Sequence, residues 1–460
     1  MGACLSSYPD SRIVDTEYGK VQGRKLVYEG DKQVDAFQGI PFAKSPIGPL
    51  RFKKPVPPEK WDDVKKTKRF SKSAVQAPVF SFLGFLMSTS EDCLYLNVFT
   101  PCWKPPPEGF PVMVFIHGGA FVVGDASAHG DRNICENIVK RDVIFITVQY
   151  RLAYLGFMTT DDEECRGNLG LCDQTAALRW INENIEAFGG NKNNITVIGQ
   201  SAGGISVDML HLSPHSTDLF HKMVPMAGNS EMRGGTYKKM PEQCRKKAEQ
   251  LGITDCKNSK ELLDKLRSIP AKKLTVNAIK MDTEKDNDFE TVPYIDGDFF
   301  PAPLDELRKR ATPKPMMTGV TKEEGTLLLY GKKRDEAMLK EAISLATRDA
   351  ADRDKLAQEL RLLYGSDDIL KNKDNLTRAL AKVYSDYFFN APTLELCRKT
   401  IDTQDNPYTS TCLITTTRKL WAYYLGKFPK FKRRHMEVNC SSSSIKDSSE
   451  EHPRFQTKTK

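Results

Sequence analysis

The chain has 460 residues, 39% hydrophobic and 28% charged, which is enough to bury a large core. No apolar run approaches the ~20 residues of a membrane-spanning helix. The net charge of +8 excludes less than it suggests: residues 408–460 hold 11 Lys/Arg and 4 Asp/Glu, and removing these from totals of 68 and 60 leaves 57 against 56, a near-neutral body without a basic stripe for nucleic acid.

The chain opens Gly2-Ala3-Cys4-Leu5-Ser6, which fits M-G-x-x-x-[ST], the pattern for N-myristoylation at Gly2. A palmitoyl group on Cys4 would make the attachment stable, because one acyl chain binds membranes only marginally. Residues 1–15 read as a loose lead-in, without a secretory apolar segment. The 11 cysteines are irregularly spaced and form no C-x-x-C pair. They are expected to be free thiols in a reducing, cytoplasmic setting, with no metal bound.

From residue 16 to 407 strand-like and helix-like segments alternate, which predicts one α/β domain with a mostly parallel sheet covered by helices on both faces. Strands are expected at Pro111–Ile116, Val143–Tyr150, Ile195–Ile198, Lys222–Met226 and Pro315–Val320. Between Pro241 and Arg310 the pattern is helical and charged, an excursion over the sheet. Residues 408–460 are basic, rich in Ser and Thr and without amphipathic period, so they read as a disordered tail.

Gly199-Gln200-Ser201-Ala202-Gly203 follows a β-branched strand and precedes a helix candidate, Ile205–Leu212. In that setting G-x-S-x-G predicts a nucleophile elbow, a tight strand-to-helix turn that holds Ser201 in a strained conformation. A strand from Pro111 runs into His117-Gly118-Gly119-Ala120. Glycines there let backbone N–H groups approach a developing oxyanion, so Gly118, Gly119 and Ala202 are the expected donors. His117 is expected to order this loop rather than act as base, because the triad order for such an elbow is Ser, acid, His.

These motifs resemble the type-B carboxylesterase/lipase family of α/β-hydrolases, relatives of the cholinesterases. The resemblance runs from about Glu17 to Pro407 through Ala36–Ala43, Glu91–Val98, Gly167–Leu171 and Phe188-Gly-Gly-Asn191. It implies a serine hydrolase of small-molecule carboxylic esters that needs no cofactor. Within Gly319-Val-Thr-Lys-Glu-Glu-Gly325 it implies Glu324 as the acid that orients the histidine. Two departures point to uncharged, apolar esters: Gln200 stands where the family usually has Glu, and no Trp lies between Trp61 and Trp103 to form a cation-binding platform. Secreted members pair the cysteine of E-D-C with an earlier one, but only Cys4 precedes Cys93.

The family's histidine follows the acid in a loop such as H-G-x-E-L. Only His435 and His452 follow Glu324, and neither has that context; His435 is the nearer candidate. Read one nucleotide earlier, the codons of His435 to Cys440 are compatible with H-G-[S/G]-E-L, with the Gly and the Leu forced by the genetic code. The same shift lets Tyr408–Thr417 encode an aromatic strand. The expectation is that residues from about 408 are out of frame. The competing expectation is a catalytically impaired relative that serves as a binding protein, and retention of Ser201, Glu324 and the glycine loop weighs against it.

Overall fold

The computed structural model describes residues 8–27, 29–78, 88–276, 289–348 and 350–403, with the backbone of 410–414. Its strands are β1 (Asp10–Thr16), β2 (Gly19–Val27), β3 (Val34–Pro41), β4 (Lys65–Lys66), β5 (Ser73–Ala74), β6 (Thr89–Ser90) and β7 (Tyr95–Pro101). Then follow β8 (Phe110–Ile116), β9 (Ile144–Val148), β10 (Gly190–Gln200), β11 (Lys222–Met226), β12 (Met316–Val320) and β13 (Ser410–Ile414). Eleven of these make one sheet in the order β1-β2-β3-β7-β9-β8-β10-β11-β12-β13, with β4 attached to β2; β5 and β6 pair separately. From β9 to β13 along this order every pairing is parallel, whereas β1, β2, β3 and β7 pair antiparallel.

The parallel strands are apolar on both faces because helices cover both. All five residues of β9 are buried, as are Val112, Val114, Ile195 and Val197 of its neighbours. The helices include α1 (Asp131–Asn137), α2 (Ala153–Phe157), α3 (Leu169–Asn184) and α4 (Ala202–Leu212). In α4 all eleven residues are buried, so this helix lies inside the core rather than on it. The expected excursion contains α5 (Met240–Gln250), α6 (Ser259–Ser268) and α7 (Leu304–Arg310). After β12 come α8 (Glu336–Thr347), α9 (Arg353–Tyr364), α10 (Asp367–Leu370), α11 (Lys373–Ser385) and α12 (Ala391–Thr403).

Two expected boundaries move. The lead-in expected over 1–15 contains β1, because Ser11, Val14 and Thr16 turn inward while β2 supplies an antiparallel ladder from Asp10↔Arg24 to Thr16↔Gly19. The tail expected to be disordered from 408 contains β13, which adds to the sheet in register with β12 from Met316↔Ser410 to Val320↔Ile414. A free edge of β12 offers ladder partners, and Ser-Thr-Cys-Leu-Ile is extended enough in propensity to take them.

Candidate active site

Ser201 caps β10 with φ 56° and ψ −125°, a left-handed backbone that a residue with a Cβ adopts only when its surroundings enforce it. The enforcement is visible on every side. Ser201 N–H donates to Met226 O at 2.9 Å, tying the elbow to the end of β11. A Cβ on Gly203 would lie 2.1 Å from Ile116 O, and one on Gly199 would lie 2.1 Å from Gly203 O, so both flanking glycines are required by contact. Gly228 was not foreseen: its Cβ would stand 2.1 Å from Ser201 O. A glycine two residues beyond the predicted strand end was the only signal for it.

The glycine loop meets the elbow directly. A Cβ on Gly118 would fall 2.4 Å from Gln200 O and 3.1 Å from Ser201 Cβ. Gly119, Ala120 and Phe121 all have positive φ, at 115°, 54° and 61°. This contorted run is braced by Val122 and Val123 N–H to Gly119 O, both 3.0 Å, and by Ala153 N–H to Phe121 O at 2.8 Å. Among the described residues the N–H groups of Gly118, Gly119 and Ala202 have no acceptor. Ala202 opens α4, whose first-turn donors have no partner within the helix and carry its positive end.

His117 is buried behind this loop. Its Nδ1 lies 2.8 Å from Gly118 O, so that nitrogen carries the proton and donates. The ring stacks on Tyr150 with centroids 4.4 Å apart, and Tyr150 Oη donates to His117 O at 2.8 Å. Burial lowers its pKa, keeping the ring neutral. Tyr150 was not singled out from sequence; it closes the back of the loop.

Glu324 stands just beyond β12, half-buried, with Oε1 accepting Thr321 N–H at 2.7 Å. Gly325 beside it is pressed to α11: its Cβ would meet Ala381 O at 2.2 Å, and its N–H donates to Ser385 Oγ at 2.8 Å. Gln200 pairs with Met226 and Met226 with Gly319, so β10 leads into the elbow and β12 leads toward the Glu324 turn at the same sheet edge, two strand spacings or about 10 Å apart at Gln200 and Gly319.

No described histidine fills the interval. His129 packs on Phe115, His211 is inside α4, and His215 Nε2 lies 3.1 Å from Asp298 O. His221 sits at the amino end of β11, where its Nδ1 accepts Ile195 N–H at 3.2 Å. His435 lies outside the described residues, as do Gly2 and Cys4.

A largely parallel sheet whose central strand β10 ends in a strained serine, beside a glycine loop with unused N–H groups, defines an α/β-hydrolase. The chain belongs to the carboxylesterase family, whose model matches residues 10–436. It is 39% identical to esterase cest-33 of Caenorhabditis elegans over 339 residues, 71% of this chain and 60% of that protein. It is 34% identical to carboxylesterase 1D of Mus musculus over 445 residues, 89% of this chain and 77% of that one. Liver carboxylesterase 1 of Oryctolagus cuniculus is 35% identical over 421 residues, 84% and 73%. The match to the nematode esterase thus spans less than two thirds of that protein's length.

Proposed function

We propose that this protein hydrolyses small-molecule carboxylic esters through an acyl-enzyme on Ser201. The observation that supports the reading is the close approach of Gly118 to the strained Ser201 elbow, and on this reading the N–H groups of Gly118, Gly119 and Ala202 are the donors to an acyl oxygen bound to Ser201. Ser201 Oγ attacks the acyl carbon as a histidine removes its proton. The oxyanion is held by the three N–H groups, and collapse expels the alcohol with that same proton. Water then repeats the sequence to release the acid. Glu324 orients the histidine and stabilises its charged form. That histidine comes from the chain beyond β13, either as His435 or from the H-G-[S/G]-E-L of the shifted frame. Gln200 and the lack of a nearby Trp favour uncharged, apolar esters. Acylation at Gly2 and Cys4 attaches the protein to a membrane surface; among the described residues no helix is long and apolar enough to cross one.

A fluorophosphonate probe tests the central step. A chain that carries the catalytic histidine, as written or in the shifted frame, is labelled at Ser201 and its Ser201→Ala variant is not; folded chains that stay unlabelled in both frames sink the reading and leave a non-catalytic binding role.

A further inference from the structure

We propose that a basic cleft beside the start of β1 is a docking surface for the anionic headgroups of a membrane. The cleft has a volume of about 500 Å³ and is lined by Lys66, Lys68, Arg69 and Lys72, together with Asp92 and Tyr95. Lys66, Arg69 and Lys72 are exposed. Among the described residues none of these three forms a salt bridge: Lys66 Nζ is bonded to the neutral Gln22 side chain, whereas Lys68 is paired with Asp10. The one carboxylate lining the cleft, Asp92, accepts from Tyr95 Oη at 2.9 Å. The cationic surplus is local, because residues 1–407 are nearly neutral.

The cations are also held in place. β4 adds to the edge of β2 through Val21↔Lys65 and Gln22↔Lys66. Thr67 N–H donates to Gln22 O at 2.8 Å, and Gln38 N–H donates to Thr67 O at 2.7 Å. Thr67 is buried and its neighbours Lys66 and Lys68 face the cleft, so alternation along an extended segment sorts the charges outward. A surface fixed by main-chain bonds loses little freedom when an anionic layer meets it.

The occupant follows from the charge of the cleft and from the residues ahead of β1. The Asp10 carboxylate that pairs with Lys68 opens β1, so the described chain enters the fold at the cleft rim. The residues ahead of it carry the acylation pattern, and a single acyl chain needs a second signal such as a polybasic surface to hold. Tyr95 is bonded through its O to Gln149 N–H, at the level where the neighbouring strands reach His117 and Gln200. The cleft therefore shares the sheet edge of Ser201, about three strand spacings or 14 Å along. The choice of a membrane as occupant rests in part on the acylation reading, and the test separates the failure of one from the failure of the other.

The test is co-sedimentation of the full chain with vesicles of phosphatidylcholine alone or with about 30 mol% phosphatidylserine. Lys66→Gln/Arg69→Gln/Lys72→Gln is compared with a control bearing Lys272→Gln/Lys273→Gln/Lys332→Gln, and circular dichroism melting confirms that both fold. Each surface cation is worth about fivefold in partition, so the cleft variant should lose up to about a hundredfold on anionic vesicles while the control loses little. Binding should weaken from about 0.1 to 0.5 M salt. Equal binding to both vesicle types, or equal losses in the two variants, overturns the proposal. Gly2→Ala separates the two ideas: if it removes binding to neutral vesicles but not the phosphatidylserine dependence, acylation and cleft both act. If it changes nothing, acylation fails and the cleft stands.

Discussion

Gly118→Ala puts the architecture of the site to a quantitative test. The new Cβ would lie 2.4 Å from Gln200 O and 3.1 Å from Ser201 Cβ. An ordinary carbon–oxygen contact is about 3.3 Å, so loop and elbow must part by about 0.9 Å. Gln200 cannot yield easily, because its strand is paired to β11 through Gln200↔Met226. Misplacing a reacting group by about 1 Å lowers rates about 10²-fold, and losing one oxyanion donor lowers kcat by about 10²–10³. The expected result is a fall of about 10²–10³ in kcat on an apolar p-nitrophenyl ester, and a matching fall in fluorophosphonate labelling rate, with KM little changed. Overpacking should remove about 1–3 kcal/mol of stability. Gly130→Ala is the control: φ there is also positive, at 69°, but the nearest atom is 3.9 Å away. It should lose about 1 kcal/mol of stability and no rate. A Gly118→Ala chain that labels and turns over like wild type would refute the assignment of this loop as the oxyanion hole.

Glu324→Gln keeps an acceptor for Thr321 N–H and should leave Tm within a few degrees while kcat falls about 10³–10⁴-fold, read by steady-state kinetics. Arg308→Met strands the buried Asp208, which Arg308 contacts twice at 3.0 Å, and should destabilise by about 3–5 kcal/mol in urea titration; adding Asp208→Asn should restore part of it. His211 is buried and its pKa is pushed down to about 4, so the unfolded chain binds its proton first: stability should fall as pH drops from about 6.5 to 4, by at most about 3 kcal/mol, and His211→Gln should flatten that part of the curve. Asp208 is held at about 2 by Arg308 against its own burial, and the stability it brings should be lost only as pH falls below about 4.

The chemistry-bearing turns were legible in the sequence because each is forced by local sterics. Gly199, Gly203 and Gly118 have no room for a Cβ, and that demand shows as glycines two residues either side of Ser201 and as the His117-Gly-Gly-Ala run after a strand. The parallel strands were legible because both faces are buried, which leaves β-branched and apolar runs such as Ile144–Val148, broken only by the buried Thr147. What was not legible depends on distant pairing. Asp-Ser-Arg-Ile-Val-Asp-Thr is a strand because β2 lies beside it, and its alternation is too polar to announce that. The packing of Tyr150 on His117 joins the ends of two adjacent strands, and no spacing rule relates those positions. The basic cleft likewise needs β4 to pair with β2 and Lys68 to meet Asp10 of β1, although the run Lys65-Lys-Thr-Lys-Arg69 is plain in the sequence.

The source of the catalytic base sets the last prediction. Ser201 and Glu324 follow strands that end at one sheet edge, and the five described histidines are held elsewhere by the contacts given above. Only His435 and His452 follow β13 as written. Since a triad works by geometry, the context of the histidine matters more than its presence. The shifted frame is compatible with H-G-[S/G]-E-L at 435–440 and permits an aromatic strand over 408–417, where β13 already joins β12. A chain rebuilt in that frame from codon 408 should label with fluorophosphonate up to about 10⁶-fold faster than the chain as written, the residual rate of the latter, about 10³–10⁴ over water, coming from the oxyanion hole and binding alone. His435→Ala in the chain as written should then change little. A large loss on His435→Ala, with no gain in the rebuilt chain, would instead make His435 the base and the written tail authentic; transcript sequencing from codon 407 through 440 reads the same choice directly.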